Sequence, residues 1–223
     1  MTRPLLLGHR GARAYRSIRE NTMASFDRAL ADGCDGFEFD VRLTGDGEAV
    51  ICHDPKLGRF EIARAKAQQV SSLALLQDVF RRYRKAFLVI ELKVGGLEKI
   101  VAESLQEFRP ERFVVSSFLP DVLRAVHDAD VAIPLGLICE TKAQLRAWRE
   151  VPAEYVFPHQ KLANPELTEE LRVANRKIVV WTVNSAAAIR RIVEMGVDGI
   201  ISDNPRVLVQ SMRAETPGTK ALE

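Results

Sequence analysis

The segment Gly36-Phe37-Glu38-Phe39-Asp40-Val41-Arg42-Leu43 sets two carboxylates two residues apart in an alternation of apolar and acidic side chains. In an extended strand, residues i and i+2 share a face, so Glu38 and Asp40 point one way while Phe37, Phe39 and Val41 point the other. Like charges so placed repel, and when buried they must be paired or bound to a metal. A second apolar run, Phe87-Leu88-Val89-Ile90-Glu91-Leu92-Lys93, ends in the same way, with Glu91 and Lys93 on one face. Glu38, Asp40 and Glu91 together form an oxygen-rich set suited to a hard divalent cation, Mg²⁺ or Ca²⁺. Zinc favours His and Cys, and no suitable cluster of those is present. His9-Arg10 closes the first apolar run, and His53-Asp54 follows Val50-Ile51-Cys52. An imidazole titrates near neutrality, the property a proton-transfer group needs.

Side chains so distant in sequence do chemistry together only if regular elements gather them. Apolar, often β-branched runs predict strands at Leu5–His9, Gly36–Leu43, Phe87–Lys93, Arg112–Phe118, Ile133–Glu140, Tyr155–His159, Ile178–Asn184 and Gly199–Asp203. Amphipathic patterns between them predict helices at Thr22–Ala31, Leu73–Arg84, Leu97–Phe108, Pro120–Ala129, Lys142–Glu150, Pro165–Asn175, Ala186–Met195 and Pro205–Arg213. Pro120, Pro165 and Ser185 fit helix starts, and Gly33 and Gly196 fit helix ends. Strict strand–helix alternation implies a parallel sheet, as a barrel or as an open doubly wound sheet. Eight units are the number that closes a TIM (β/α)8 barrel, which is the α/β fold expected here. In that fold the active site lies at the C-terminal rim of the strands, and six of the eight predicted strands finish in polar or ionisable residues. One domain is expected over residues 1–213, with a frayed tail at 214–223.

Bulk properties remove other classes. The chain has 223 residues, 47% of them hydrophobic, and a net charge of +2, which asks for no nucleic acid. The basic run Arg81–Lys85 reads as a solvated helix end. Pro4-Leu5-Leu6-Leu7 is shorter than the apolar region of a signal peptide, and no segment reaches the ~18 apolar residues of a membrane span, so no stable membrane insertion is expected. Cys34, Cys52 and Cys139 have no paired spacing and read as reduced thiols, which suits a cytoplasmic protein; the small-molecule partner expected here rests on the acids and histidines above.

An ordered series of motifs resembles the glycerophosphodiester phosphodiesterase family: His9-Arg10-Gly11, Glu20-Asn21-Thr22, Glu38-Phe39-Asp40-Val41, Asp46-Gly47, His53-Asp54, Glu91-Leu92-Lys93, Ser116-Ser117-Phe118, Trp181-Thr182-Val183-Asn184 and Asp198-Gly199-Ile200-Ile201-Ser202-Asp203-Asn204-Pro205. The resemblance implies hydrolysis of glycerophosphodiesters to glycerol 3-phosphate and an alcohol with one divalent metal. It implies Glu38, Asp40 and Glu91 as metal ligands, His9 as base and His53 as acid, and Arg10 and Lys93 as phosphate contacts. Trp181 is expected to line the glycerol pocket, and Asp203 to anchor the rim rather than bind metal. Two departures stand out. Arg19 replaces the proline usual before Glu-Asn-Thr, and the insertion after His53-Asp54 is short. A short lid opens the choice of alcohol and admits a lysophospholipase D, with Arg13, Arg16 and Arg19 meeting an anionic head group. A glycerol-phosphate phosphatase and a non-catalytic polyol-phosphate binder are the remaining alternatives.

Overall fold

The computed structural model describes residues 3–213. The expected frayed segment, 214–223, lies outside the described residues. In chain order, β1 (Leu5–Gly8), α1 (Met23–Ala31) and β2 (Gly36–Leu43) come first. An excursion follows, made of β3 (Ala49–Ile51), antiparallel to β2, and a hairpin of β4 (Lys56–Leu57) and β5 (Phe60–Glu61). The chain continues through α2 (Leu76–Arg82), β6 (Phe87–Leu92), α3 (Glu98–Phe108), β7 (Arg112–Ser117), α4 (Pro120–Ala129), β8 (Leu135–Cys139) and α5 (Lys142–Arg146). It ends with β9 (Tyr155–Pro158), α6 (Pro165–Val173), β10 (Lys177–Val180), α7 (Ala186–Glu194), β11 (Gly199–Ser202) and α8 (Pro205–Arg213). Strands β1, β2, β6, β7, β8, β9, β10 and β11 pair in parallel in that order, and β11 returns to β1. The sheet is therefore a closed TIM barrel.

Alternation along each strand sorts side chains into two apolar layers. Leu7, Val89, Val114, Ile138, Phe157, Val179 and Ile201 pack together inside the barrel. Their chain neighbours, such as Leu6, Leu88, Ile90 and Ile200, pack outward against the helices. Phe37 and Phe39 join the outer layer, where Phe37 stacks on Phe26 of α1 at 4.2 Å between centroids. The neighbouring residues Glu38 and Asp40 must then face inward. Register opposes Glu38 to Val89 and Asp40 to Glu91, so the inward column changes from apolar to acidic as it rises toward the C-terminal rim.

Several predicted elements are longer than those observed, and each excess has a physical destination. The segment 73–75 does not start α2: Ala74 O accepts from Ile51 N–H and Leu75 bridges Val50, so these residues extend the β3 pairing. Beyond Trp181, which still bridges His159, the strand predicted to Asn184 leaves the ladder. Val183 N–H donates to Ile201 O, and the Gln160 side chain donates to Thr182 O at 2.5 Å. The helix predicted over Lys142–Glu150 tightens after Arg146 into a 3₁₀ turn, Ala147–Arg149, which buries Trp148.

Candidate active site

A tight turn after β1 carries the first two functional side chains. Arg10 and Gly11 both have positive φ, 48° and 82°. For a non-glycine residue this conformation costs roughly 1–2 kcal/mol, and three hydrogen bonds hold Arg10 in it. Its N–H donates to Glu38 Oε2 at 2.9 Å, while its carbonyl accepts from Asn21 N–H at 3.1 Å and Ser25 Oγ at 2.9 Å. Gly11 has no alternative, because a Cβ there would lie 2.4 Å from Ser25 Oγ. The turn is thus folded down onto the start of α1, with His9 and Arg10 above the acids of β2.

Glu38, Asp40 and Glu91 are buried, and each offers an oxygen within 4.8 Å of the others. Asp40 Oδ2 accepts from Asn21 Nδ2 at 2.8 Å and lies 3.3 Å from Arg10 Nε. Lys93 Nζ is 2.5 Å from Glu91 Oε1 and 3.4 Å from Asp40 Oδ1. Burial, followed by the charges of Asp40 and Glu91, drives the Glu38 carboxyl well above its ordinary range. Burial and the Asp40 charge also push Glu91 up to about 7, against the opposing pull of Lys93. Glu38 Oε1 and Asp40 Oδ1 are buried without a hydrogen-bond partner. Orphaned buried acceptors are rare in folded proteins, and here they face a third carboxylate. The donor set is all oxygen, anionic and dry, so it fits a divalent cation of the Mg²⁺ or Ca²⁺ kind.

Both histidines are backed by carboxylates. His9 Nδ1 lies 2.6 Å from Asp203 Oδ1, and its Nε2 lies 3.8 Å from Glu38 Oε2. The acceptor at Nδ1 assigns the proton to that nitrogen and turns the Nε2 lone pair toward the cavity. Asp203 is itself held by Asn184 Nδ2 at 2.6 Å and by Arg13 Nη1 at 3.4 Å. Burial alone would raise its carboxyl, but the His9 and Asn184 hydrogen bonds and the nearby cations carry it down to about 2. His53 is one-third exposed, with Nδ1 at 2.8 Å from Asp54 Oδ1, and Arg42 Nε fixes its carbonyl at 2.8 Å.

These groups open on one cavity of about 280 Å³ at the C-terminal mouth. His9, Arg10, Glu38, His53, Glu91 and Lys93 line it together with Phe118, Glu140 and Trp181, and Lys93 Nζ lies 5.7 Å from the centre of the Phe118 ring. All eight residues singled out in the sequence therefore meet: seven line the cavity, and Asp40 lies in the carboxylate cluster beneath it. Glu20 falls before the N-cap of α1, and pairs with Arg10 at 2.8 Å and with Arg13 at 2.8 Å. His159 packs its ring edgewise on Trp181 at 5.2 Å. Sequence reasoning missed the hold of Asn21 on Asp40 and the place of Glu140 in the cavity. Glu140 carried a usable signal, since it is an acid at a strand end like Glu91.

A barrel mouth with a cation-suited carboxylate cluster, two fixed basic side chains and two carboxylate-backed imidazoles is equipped for metal-assisted hydrolysis of a phosphate ester. The profile of the Glycerophosphoryl diester phosphodiesterase family matches residues 9–78 and 85–207. The glycerophosphodiester phosphodiesterase of Caldanaerobacter subterraneus subsp. tengcongensis is 30% identical over 94% of this chain and 98% of its own length. That of Bacillus altitudinis is 31% identical over 90% of this chain and 94% of its own. The solved glycerophosphodiester phosphodiesterase of Thermotoga maritima shares the fold with a TM-score of 0.78 at 24% identity, over 94% of this chain and 99% of that one. A phosphodiesterase of Oleispira antarctica, solved with its product sn-glycerol-3-phosphate, has a TM-score of 0.83 at 23% identity, over 94% of this chain and 97% of that one. The chain belongs to the glycerophosphoryl diester phosphodiesterase family.

Proposed function

We propose that the chain hydrolyses glycerophosphodiesters to glycerol 3-phosphate and an alcohol, with His9 and His53 as the proton-transfer pair. In this reading Glu38, Asp40 and Glu91 hold one divalent cation, Mg²⁺ or Ca²⁺. When bound, that cation supplies positive charge that offsets the anionic phosphate. Arg10 and Lys93 add two more charges at the same side of the cavity, where low dielectric strengthens each of them. Their ion pairs with carboxylates of the cluster support a phosphate seat beside the cation.

His9 Nε2 takes the proton from the attacking oxygen, which belongs to water or to the substrate's own neighbouring hydroxyl. Asp203 steadies the imidazolium that results, as an anionic acceptor at Nδ1 does in other histidine dyads. His53 sits at the more exposed edge and gives its proton to the departing alkoxide. The observation that carries this reading is the convergence of three buried carboxylates, two of them with orphaned oxygens, beside two oriented imidazoles. A cytoplasmic setting is supported by three free, buried cysteines. No helix among the described residues is long and apolar enough to cross a membrane.

The test is release of glycerol 3-phosphate from glycerophosphocholine, which should stop in EDTA and return with Mg²⁺ or Ca²⁺. Turnover confined to lysolipids would make the protein a lysophospholipase D. Absence of turnover with every divalent cation tried would leave a binder of polyol phosphates.

A further inference from the structure

The hydrolytic mechanism uses the cavity lining from β1, β2 and β6 and leaves the remainder unassigned. Strands β1, β2 and β6 end in His9, Glu38, Asp40, Glu91 and Lys93. In the closed barrel β8 lies four strands from β1 in either direction, so its end stands directly across the mouth. Glu140 is the first residue beyond β8. Its backbone N–H donates to Gln144 Oε1 at 2.9 Å, within the box that caps α5, so its Cα is fixed. Glu140 is an exposed residue that lines the cavity, and its carboxylate has no ion-pair partner among the described residues. Beside it stand Phe118 and Trp181, edge to face at 5.6 Å. The indole N–H of Trp181 is committed to Phe157 O at 2.8 Å, so this ring offers the cavity its carbon face.

A carboxylate is an acceptor only. Placed across the mouth from the end of β1, it repels phosphate from its own neighbourhood and attracts hydroxyl donors. A phosphodiester has two arms, and the arm that leaves must lie by the acid, His53, at the exposed edge of the mouth. The arm that stays esterified then crosses toward β8. In a glycerophosphodiester that arm is glycerol: two hydroxyl donors on a three-carbon chain whose C–H groups suit aromatic faces. We propose that Glu140 determines specificity by accepting a hydrogen bond from the terminal glycerol hydroxyl, while Phe118 and Trp181 cover the glycerol's carbon face. This deepens, and rests on, the reading of the chain as a glycerophosphodiester hydrolase. It also accounts for a short lid, because the constant part of the substrate is held inside the mouth and the variable alcohol is left outside.

The test compares kcat/KM of the wild type, Glu140→Ala and Glu140→Gln on three diesters in saturating Mg²⁺ or Ca²⁺. These are glycerophosphocholine, glycerophosphoglycerol and bis(p-nitrophenyl) phosphate, the last of which has no glycerol. In Glu140→Ala the preference for either glycerol substrate over bis(p-nitrophenyl) phosphate should fall by about 10- to 100-fold, the range for losing hydrogen bonds to a charged acceptor. Inhibition by glycerol 3-phosphate should weaken by a similar factor. Glu140→Gln, which keeps one carbonyl acceptor, should fall between. An unchanged preference overturns the proposal. So does an equal loss on all three substrates, which means a general structural effect, or a loss confined to the choline ester, which means recognition of the ammonium. Failure of the underlying reading looks different: the wild type itself would release no glycerol 3-phosphate with either cation.

Discussion

In EDTA, raising the pH from about 5 to about 8 ionises Glu91 in a buried site that it shares with two other carboxyl groups. Glu91 is 9% exposed at its side chain and is raised from 4.5 to about 7, first by burial and then by the Asp40 charge. Between those two values the folded chain holds a proton that the unfolded chain has released. The sign is therefore a loss of stability as pH rises from 4.5 to about 7, with no further loss from this group above it. At ~1.36 kcal/mol per pH unit, ionising Glu91 in the folded chain costs on the order of 3 kcal/mol. Glu38 moves in the same direction and adds to it. For a domain of this size, ~3 kcal/mol corresponds to a Tm lower by roughly 6–12 °C. A divalent cation at about 100 times its Kd returns ~2.7 kcal/mol, and does so mainly where the carboxylates are ionised. Thermal melts at the two pH values, in EDTA and in excess Ca²⁺ or Mg²⁺, provide the assay. Stabilisation by the cation should be several degrees larger at the higher pH, with proton release on binding at the lower. Equal melting temperatures at both pH values in EDTA, or a cation effect no larger at high pH, would refute the electrostatic reasoning.

Other outcomes follow from the same geometry. His53→Ala should lower kcat by about 10²- to 10⁴-fold while cation affinity, followed by isothermal titration calorimetry, stays near the wild-type value. Glu38→Ala should lose both. A His53→Ala enzyme with wild-type kcat would show that His53 is not the acid. Asp203→Ala removes the acceptor at His9 Nδ1 and should lower kcat by about 10- to 100-fold. Because Asp203 is depressed from 3.8 to about 2, its contribution of on the order of 2 kcal/mol is present above pH 3.8 and lost as pH falls toward 2. Urea melts should therefore separate wild type from Asp203→Ala at neutral pH and bring them together in acid.

The barrel was legible because its two periods are strong. Val89 and Glu91 alternate with Leu88, Ile90 and Leu92, and Pro120 and Pro165 mark helix starts that the structure keeps. The carboxylate cluster followed from the same alternation, since the outward pull of Phe37 and Phe39 leaves Glu38 and Asp40 nowhere else to point. Strand ends were overdrawn where function takes the chain over. Trp181–Asn184 keeps a strand-like pattern, yet Asn184 turns to hold Asp203 and Trp181 turns to the mouth. The β3 strand and the β4–β5 hairpin were invisible because elements of two or three residues carry no periodicity. Long-range polar contacts such as Asn21 with Asp40 and His9 with Asp203 depend on closure of the barrel, which no local pattern encodes.

The most direct measurement is a crystal structure of the chain grown with Ca²⁺ or Mg²⁺ and glycerol 3-phosphate. The account predicts one cation within ~2.0–2.6 Å of oxygens from Glu38, Asp40 and Glu91, with the phosphate between His9 and His53. A cation bound elsewhere, or phosphate seated at the Glu140 side of the mouth with the three acids facing only Lys93 and Arg10, would contradict it.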